Sequence, residues 1–133
     1  MEQNSSLHSP GSMAKLILIA EDTPDLLEEI RASLMMEGYD VISTDNGEMA
    51  LNRLGELLPD LIVTDLRMPV MDGFELIRRV RENPHWSGIP ILVFSSMPIH
   101  EYEARVSENG ANQFLTKPCS METFLHTVAN SLS

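Results

Sequence analysis

Leu-Ile-Val-Thr-Asp-Leu-Arg-Met-Pro-Val-Met-Asp-Gly, residues 61–73, sets the fold class. Its first four residues are apolar or β-branched with no polar alternation, as in a short strand covered on both faces. A carboxylate, Asp65, comes at once, and Pro69 and Asp72-Gly73 then mark a turn and the start of a helix. Outward in both directions the same unit repeats. Short apolar runs fall at Leu16 to Ala20, Val41 to Thr44, Leu61 to Thr64, Ile91 to Phe94 and Gln113 to Thr116. The runs beginning at Leu16, Leu61 and Ile91 are apolar nearly throughout, which predicts central strands. Helical segments lie between them. Thr23-Pro24 supplies an N-cap with proline at the first helical position, Leu27, Ile30 and Leu34 form a stripe, and Gly38 ends it. Asn46-Gly47 opens a helix that Pro59 ends, and Gly73 one that stops near Asn83-Pro84. Pro98 opens one that Gly110 ends, and the last begins after Ser120. Strand alternating with helix predicts an α/β fold built on a parallel sheet, and five strands are the simplest count. The helix from Ile99 to Asn109 has few apolar residues, Ile99, Tyr102, Ala104 and Val106, and is expected to be the most weakly held.

At 133 residues with 43% hydrophobic content, the chain suits one domain with one sizeable core. Nine Lys and Arg against twenty Asp and Glu give a net charge of -11, the wrong sign for a phosphate backbone, so direct nucleic-acid binding is not expected. The single cysteine, Cys119, excludes an internal disulfide, and no apolar run approaches a membrane span. These features place the expected location in the cytoplasm. Residues 1–12 are polar and aperiodic and precede a second methionine, Met13; they read as a disordered leader of the kind cloning leaves, with the domain at 13–133.

In an open parallel sheet, ligands bind beyond the carboxyl ends of the strands, where the strand order reverses. The residues just past each strand are therefore informative. Glu21-Asp22 comes after the first, Asp65 after the third, Ser95-Ser96 after the fourth and Lys117-Pro118 after the fifth. Crowded carboxylates repel unless a cation neutralises them, and Mg2+ or Mn2+ takes oxygen donors while leaving positions open for a phosphate oxygen. Asp65 is then suited to nucleophilic attack on phosphorus, forming an acyl phosphate. Lys117 and Ser95 are suited to meet charge on the transferring oxygens.

Taken together, Glu21-Asp22, the block Asp65 to Gly73, the run Pro90 to Ser96 and the run Gly110 to Pro118 resemble the receiver domain of response regulators over Lys15 to Leu132. The resemblance implies a flavodoxin-like (βα)5 fold of strand order 2-1-3-4-5 with helices on both faces. It makes Asp65 the acceptor of a phosphoryl group from the phosphohistidine of a sensor histidine kinase or histidine phosphotransfer protein. It assigns the metal to Asp22, Asp65 and the Arg67 main-chain carbonyl, with Glu21 acting through a water, and the phosphoryl contacts to Ser95 and Lys117. It implies a cis Lys117-Pro118 bond and an aromatic switch at Phe114. Signalling to a downstream effector, and any homodimer, would use the face made by the fourth helix, the fifth strand and the fifth helix. Such a domain is not an enzyme in the ordinary sense, since it promotes only its own phosphorylation and dephosphorylation. Glu21, Ser95 and Phe114 stand where Asp, Thr and Tyr are commoner, and Phe114 lacks the hydroxyl of a tyrosine switch. Arg67 and Met97 occupy positions expected to tune phosphoryl lifetime.

Other functions fit less well. An aspartate-nucleophile phosphatase needs a second acid two residues after the nucleophile, where Arg67 stands. A flavodoxin-like cofactor binder needs a Ser/Thr/Gly-rich loop in place of Glu21-Asp22-Thr23-Pro24. A pseudo-receiver serving as an interaction module is the alternative, but this chain retains every acidic and phosphate-binding group. His8, His85, His100 and His126 share no metal-ligand spacing, Cys119 has nothing beside it to activate it, and Asp72-Gly73 reads as turn chemistry.

Overall fold

The computed structural model describes residues 14–133, so the expectation of a disordered leader lies outside the described residues. Strands and helices alternate: β1 (Leu16–Ala20), α1 (Pro24–Met36), β2 (Asp40–Thr44), α2 (Gly47–Leu54), β3 (Leu61–Thr64), α3 (Gly73–Glu82), β4 (Ile91–Ser95), α4 (Ile99–Asn109), β5 (Gln113–Thr116) and α5 (Met121–Ser131). All strand pairings are parallel and the order is β2-β1-β3-β4-β5.

The three nearly apolar runs are the three inner strands, each buried along its whole length. The pleat sends alternate residues to opposite faces. Leu16, Leu18, Ala20, Ile62, Ile91 and Val93 meet a core shared with α2, α3 and α4. Ile17, Ile19, Leu61, Val63, Leu92 and Phe94 meet α1 and α5, where the Phe94 and Phe124 rings lie 5.1 Å apart. The outer strands β2 and β5 are only partly covered.

Helix ends obey local chemistry. Asn46, Asp72 and Ser120 cap α2, α3 and α5 by accepting the N–H of Met49, Glu75 and Thr123. Gly38, with φ +94, lets α1 stop: its N–H reaches Met35 O, and the Tyr39 N–H reaches Leu34 O. Thr23 lies at the N-cap with Pro24 at the start of α1, as expected, although its side chain makes no capping bond; its N–H donates to Glu21 Oε2 at 3.1 Å. One expectation needs correction. Helix α2 ends at Leu54 rather than at Pro59, because Gly55 to Leu57 turn so that Leu57 joins Leu54 against the core.

Helix α4 hangs on Tyr102 and Val106, both buried, with Ile99 partly covered and Ala104 exposed. Its far end is braced by Arg81, whose guanidinium donates to Gly110 O (2.8 Å), Ser87 O (3.0 Å) and Asn112 Oδ1 (2.9 Å).

Candidate functional site

Strand register brings the site together. Ala20 is level with Thr44 and Thr64, and Ser95 with Thr116, so the residues just beyond them emerge on one rim. Main-chain bonds fix them there: the Asp65 N–H reaches Ala20 O at 3.0 Å and the Lys117 N–H reaches Ser95 O at 2.9 Å. Since β1 and β3 are neighbours while β2 lies beyond β1, the order reverses between Glu21-Asp22 and Asp65.

Glu21, Asp22 and Asp65 each offer a carboxylate oxygen within 4.8 Å of the others. Asp65 is 9% exposed and Glu21 2%, while Asp22 is open to solvent. Burial of two acids calls for a counter-charge, and Lys117 supplies it. Its ammonium donates to Glu21 Oε1 at 2.7 Å and to Asp65 Oδ2 at 2.9 Å. Burial pulls the Lys117 pKa down, but the hydrogen bonds to Glu21 and Asp65 outweigh it and hold the value above the ordinary range. The ammonium is also 5.4 Å from the centre of the Phe94 ring. Asp65 Oδ1 accepts the Leu66 N–H at 2.6 Å and, more weakly, the Arg67 N–H at 3.5 Å. Its two oxygens are thus distinguished, one held by the main chain and the other facing Lys117.

Ser95, 1% exposed, ends β4 on the same rim, and its Oγ accepts the Met97 N–H at 3.1 Å. The Lys117–Pro118 peptide is cis, as the resemblance implied. Arg67 is exposed two residues past Asp65. Phe114 is half-buried beside Tyr102, with ring centres 6.0 Å apart. Cys119 sits in a cavity of about 250 Å³ behind Lys117, and burial pushes its thiol pKa up, away from reactivity.

An all-carboxylate donor set of this compactness fits a hard divalent cation, and among the described residues it is the one such cluster of His, Cys, Asp or Glu. A cation entering there would compete with the Lys117 ammonium for Glu21 and Asp65.

Sequence reading missed two residues that shape the site. Gly73, which reads in sequence as simple turn chemistry, is where α3 touches Asp65: a Cβ there would lie 2.1 Å from Asp65 O and 2.9 Å from Leu66 Cα. Gly47 likewise presses on the Asp65–Gly73 loop, its N–H donating to Met71 O at 3.1 Å. The loop carries a γ-turn at Val70, with φ +69 and a 2.7 Å bond from the Met71 N–H to Pro69 O. A β-branched residue at positive φ is strained backbone beside a functional group. Two glycines grasping one loop, with no positive φ of their own, is a signal visible only once the helices are packed.

Comparison with known proteins agrees with this geometry. The response regulator receiver domain matches residues 17–129. The sensor histidine kinase TmoS of Ectopseudomonas mendocina is 36% identical over 88% of the chain, which spans 12% of that protein. An uncharacterized 14.6 kDa protein of Leptolyngbya boryana is 40% identical over 77% of the chain and 78% of its own length. The chemotaxis response regulator CheY4 of Vibrio cholerae superimposes with a TM-score of 0.86 at 29% identity, covering 90% of this chain and all of CheY4 (100%). Among the described residues, no helix is long and apolar enough to cross a membrane.

Proposed function

The chain belongs to the response regulator receiver domain family of two-component signalling, and from that premise we propose that Asp65 accepts a phosphoryl group from a phosphohistidine. The donor is a sensor histidine kinase or a histidine phosphotransfer protein. The observation that carries the reading is the pairing of a buried carboxylate, Asp65, with the Lys117 ammonium at 2.9 Å inside a three-acid cluster. A turn aspartate has no use for that arrangement.

Glu21, Asp22, Asp65 and the Arg67 main-chain carbonyl would hold Mg2+ or Mn2+, Glu21 through a water. When bound, the cation neutralises charge on the acids and on the transferring oxygens. The remaining work belongs to the chain's own residues. An Asp65 carboxylate oxygen attacks phosphorus, the new O–P bond forms as the P–N bond to imidazole breaks, and the electron pair leaves with the histidine nitrogen, which then takes a proton. Lys117, freed from Asp65 as that carboxylate becomes an ester-like acyl phosphate, donates to a phosphoryl oxygen. Ser95 lies where its hydroxyl can turn from Met97 toward the same group. The transition state has little covalent demand, so placement and charge account for most of the acceleration.

Hydrolysis of the aspartyl phosphate completes the cycle, so the chain promotes only its own phosphorylation and dephosphorylation. The exposed Arg67 occupies the place where an aspartate-nucleophile phosphatase would need a second acid. Output passes through the α4-β5-α5 face, to a downstream effector or a second copy of the domain. The support is physical: β5 is a partly covered edge strand, Phe114 is half-buried, and α4 rests on two buried side chains. We place the domain in the cytoplasm, where its lone thiol, Cys119, stays reduced.

Transfer from a radiolabelled phosphohistidine donor tests the reading. Label should move to the chain in the presence of Mg2+ and not under chelation; label that moves equally to Asp65→Asn would refute Asp65 as acceptor.

A further inference from the structure

Tyr102 is 1% exposed, yet its hydroxyl has no hydrogen-bond partner. Buried hydroxyls are nearly always paired, because an unpaired one forfeits its hydration for nothing. Two other buried side-chain atoms among the described residues lack partners, Ser43 Oγ and Arg53 Nε, but both residues are partly exposed, and the Arg53 guanidinium lies 3.0 Å from the Glu56 carboxylate. Tyr102 is the fully buried case. Packing does not explain it, since phenylalanine would fill the same volume without the cost.

The position of the ring suggests what the hydroxyl is for. Tyr102 is in the first turn of α4, and helical Cα–Cβ bonds tilt toward the N-terminus, so its side chain leans toward the segment joining Ser95 to Pro98. Its ring packs at 6.0 Å and 53° on Phe114, which is level with Val93 on β4, two residues before Ser95. Phe114 has no hydroxyl, and Tyr102 places one a ring away. Burial first, then the charges of Glu103 and Asp65, raise the Tyr102 pKa.

We propose that the Tyr102 hydroxyl is a positioning group for the phosphorylated state: unpartnered now, it gains an acceptor on residues 95–97 when Ser95 is drawn to a phosphoryl group on Asp65, and so ties α4 to the site. This rests on the phosphoacceptor reading above. A phosphoryl group adds three strong acceptor oxygens beside Ser95. Ser95 then turns its proton toward them, the Met97 N–H loses its present partner, and the segment rearranges. A state in which the Tyr102 hydroxyl is paired is favoured over one in which it is not, and that difference is the coupling.

Beryllofluoride with Mg2+, a non-covalent stand-in for the phosphoryl group, provides the test, with acetyl phosphate labelling as the control for the underlying reading. Tyr102→Phe should leave the urea midpoint of the free domain unchanged or raised, and should weaken beryllofluoride binding about five- to tenfold, the worth of one buried hydrogen bond. The sequence has two tyrosines, so 3-fluorotyrosine in a Tyr39→Phe background gives a single fluorine signal, from Tyr102, that should shift on binding. A Tyr102→Phe domain that is less stable when free and binds beryllofluoride as tightly as the parent would overturn the role of the hydroxyl, with labelling intact. Failure of the parent to be labelled or to bind beryllofluoride refutes the phosphoacceptor reading itself, and this inference with it.

Discussion

Replacing Gly73 by alanine is expected to damage the proposed acceptor, Asp65, without touching any charged group. The added Cβ would lie 2.1 Å from Asp65 O, whereas ordinary contact begins near 3.4 Å, so α3 and the end of β3 must separate by roughly 1.3 Å. The atoms in the way are main chain, held by the bond from the Asp65 N–H to Ala20 O, and cannot swing aside as a side chain would. The same separation breaks the 3.0 Å bond from the Gly73 N–H to Leu66 O. Overpacking costs about 1–3 kcal/mol and the lost hydrogen bond about 1, which together predict a loss of about 2–4 kcal/mol. If Asp65 is the nucleophile proposed above, displacing it by about 1 Å should slow phosphoryl uptake on the order of 100-fold. Urea unfolding followed by the single tryptophan, Trp86, measures the first effect, and the acetyl phosphate labelling rate the second. Gly88→Ala is the control, since a Cβ there meets nothing within 4 Å. A Gly73→Ala domain within about 1 kcal/mol of the parent, labelled within threefold of its rate, would rule out this role for Gly73, since the usual cost of overpacking is larger.

Three further outcomes are expected from the geometry. Lys117→Met strands two buried carboxylates and should destabilise the metal-free domain by up to about 3–5 kcal/mol, with much of the loss restored by millimolar Mg2+; a loss indifferent to Mg2+ in thermal melts would count against the cation site. Phe124→Ala removes a side chain 1% exposed and packed at a tilt against Phe94, and should cost about 3–5 kcal/mol in urea melts without altering Mg2+ affinity. On the surface of α3, hydrogen bonds from Arg78 and Arg79 lower the Glu75 pKa to about 2. Because this folded value lies below the ordinary carboxylate value of about 4.3, the contribution is complete above that pH and lost as pH falls toward 2. The stability of Glu75→Gln should therefore decline less steeply across that window, and the difference should shrink in high salt; matching slopes would contradict it.

Much of the fold was legible because its signals are local. Three apolar runs of four or five residues with no polar alternation are too short for helices and read as covered strands, and Gly38 and Asn46-Gly47 punctuate helices by local chemistry that neighbours do not alter. The rim was legible for a related reason: in a parallel sheet, the residues just past the strands must collect at one edge, so sequence alone placed Glu21, Asp22, Asp65, Ser95 and Lys117 together. The illegible part depends on approach between distant segments. The late end expected for α2 came from reading Pro59 as a stop, when Leu57 turns to reach the core first. Thr23 holds the N-cap position that its place before Pro24 suggests, but no local pattern reveals that its hydroxyl makes no cap bond while its N–H meets the Glu21 carboxylate. Gly73 is needed for space rather than for φ, and the orphan hydroxyl of Tyr102 exists only once α4 has packed on Phe114. The Arg81 brace joins residues 29 and 31 positions apart, a separation no local pattern records.

Whether Asp65 is a cation-dependent phosphoryl acceptor is decided by intact mass spectrometry after incubation with acetyl phosphate, with and without Mg2+, on the parent and on Asp65→Asn. One phosphoryl group should add to the parent only when Mg2+ is present, and none to Asp65→Asn. Equal labelling of both chains, or a parent labelled as well under chelation as with Mg2+, would overturn the assignment.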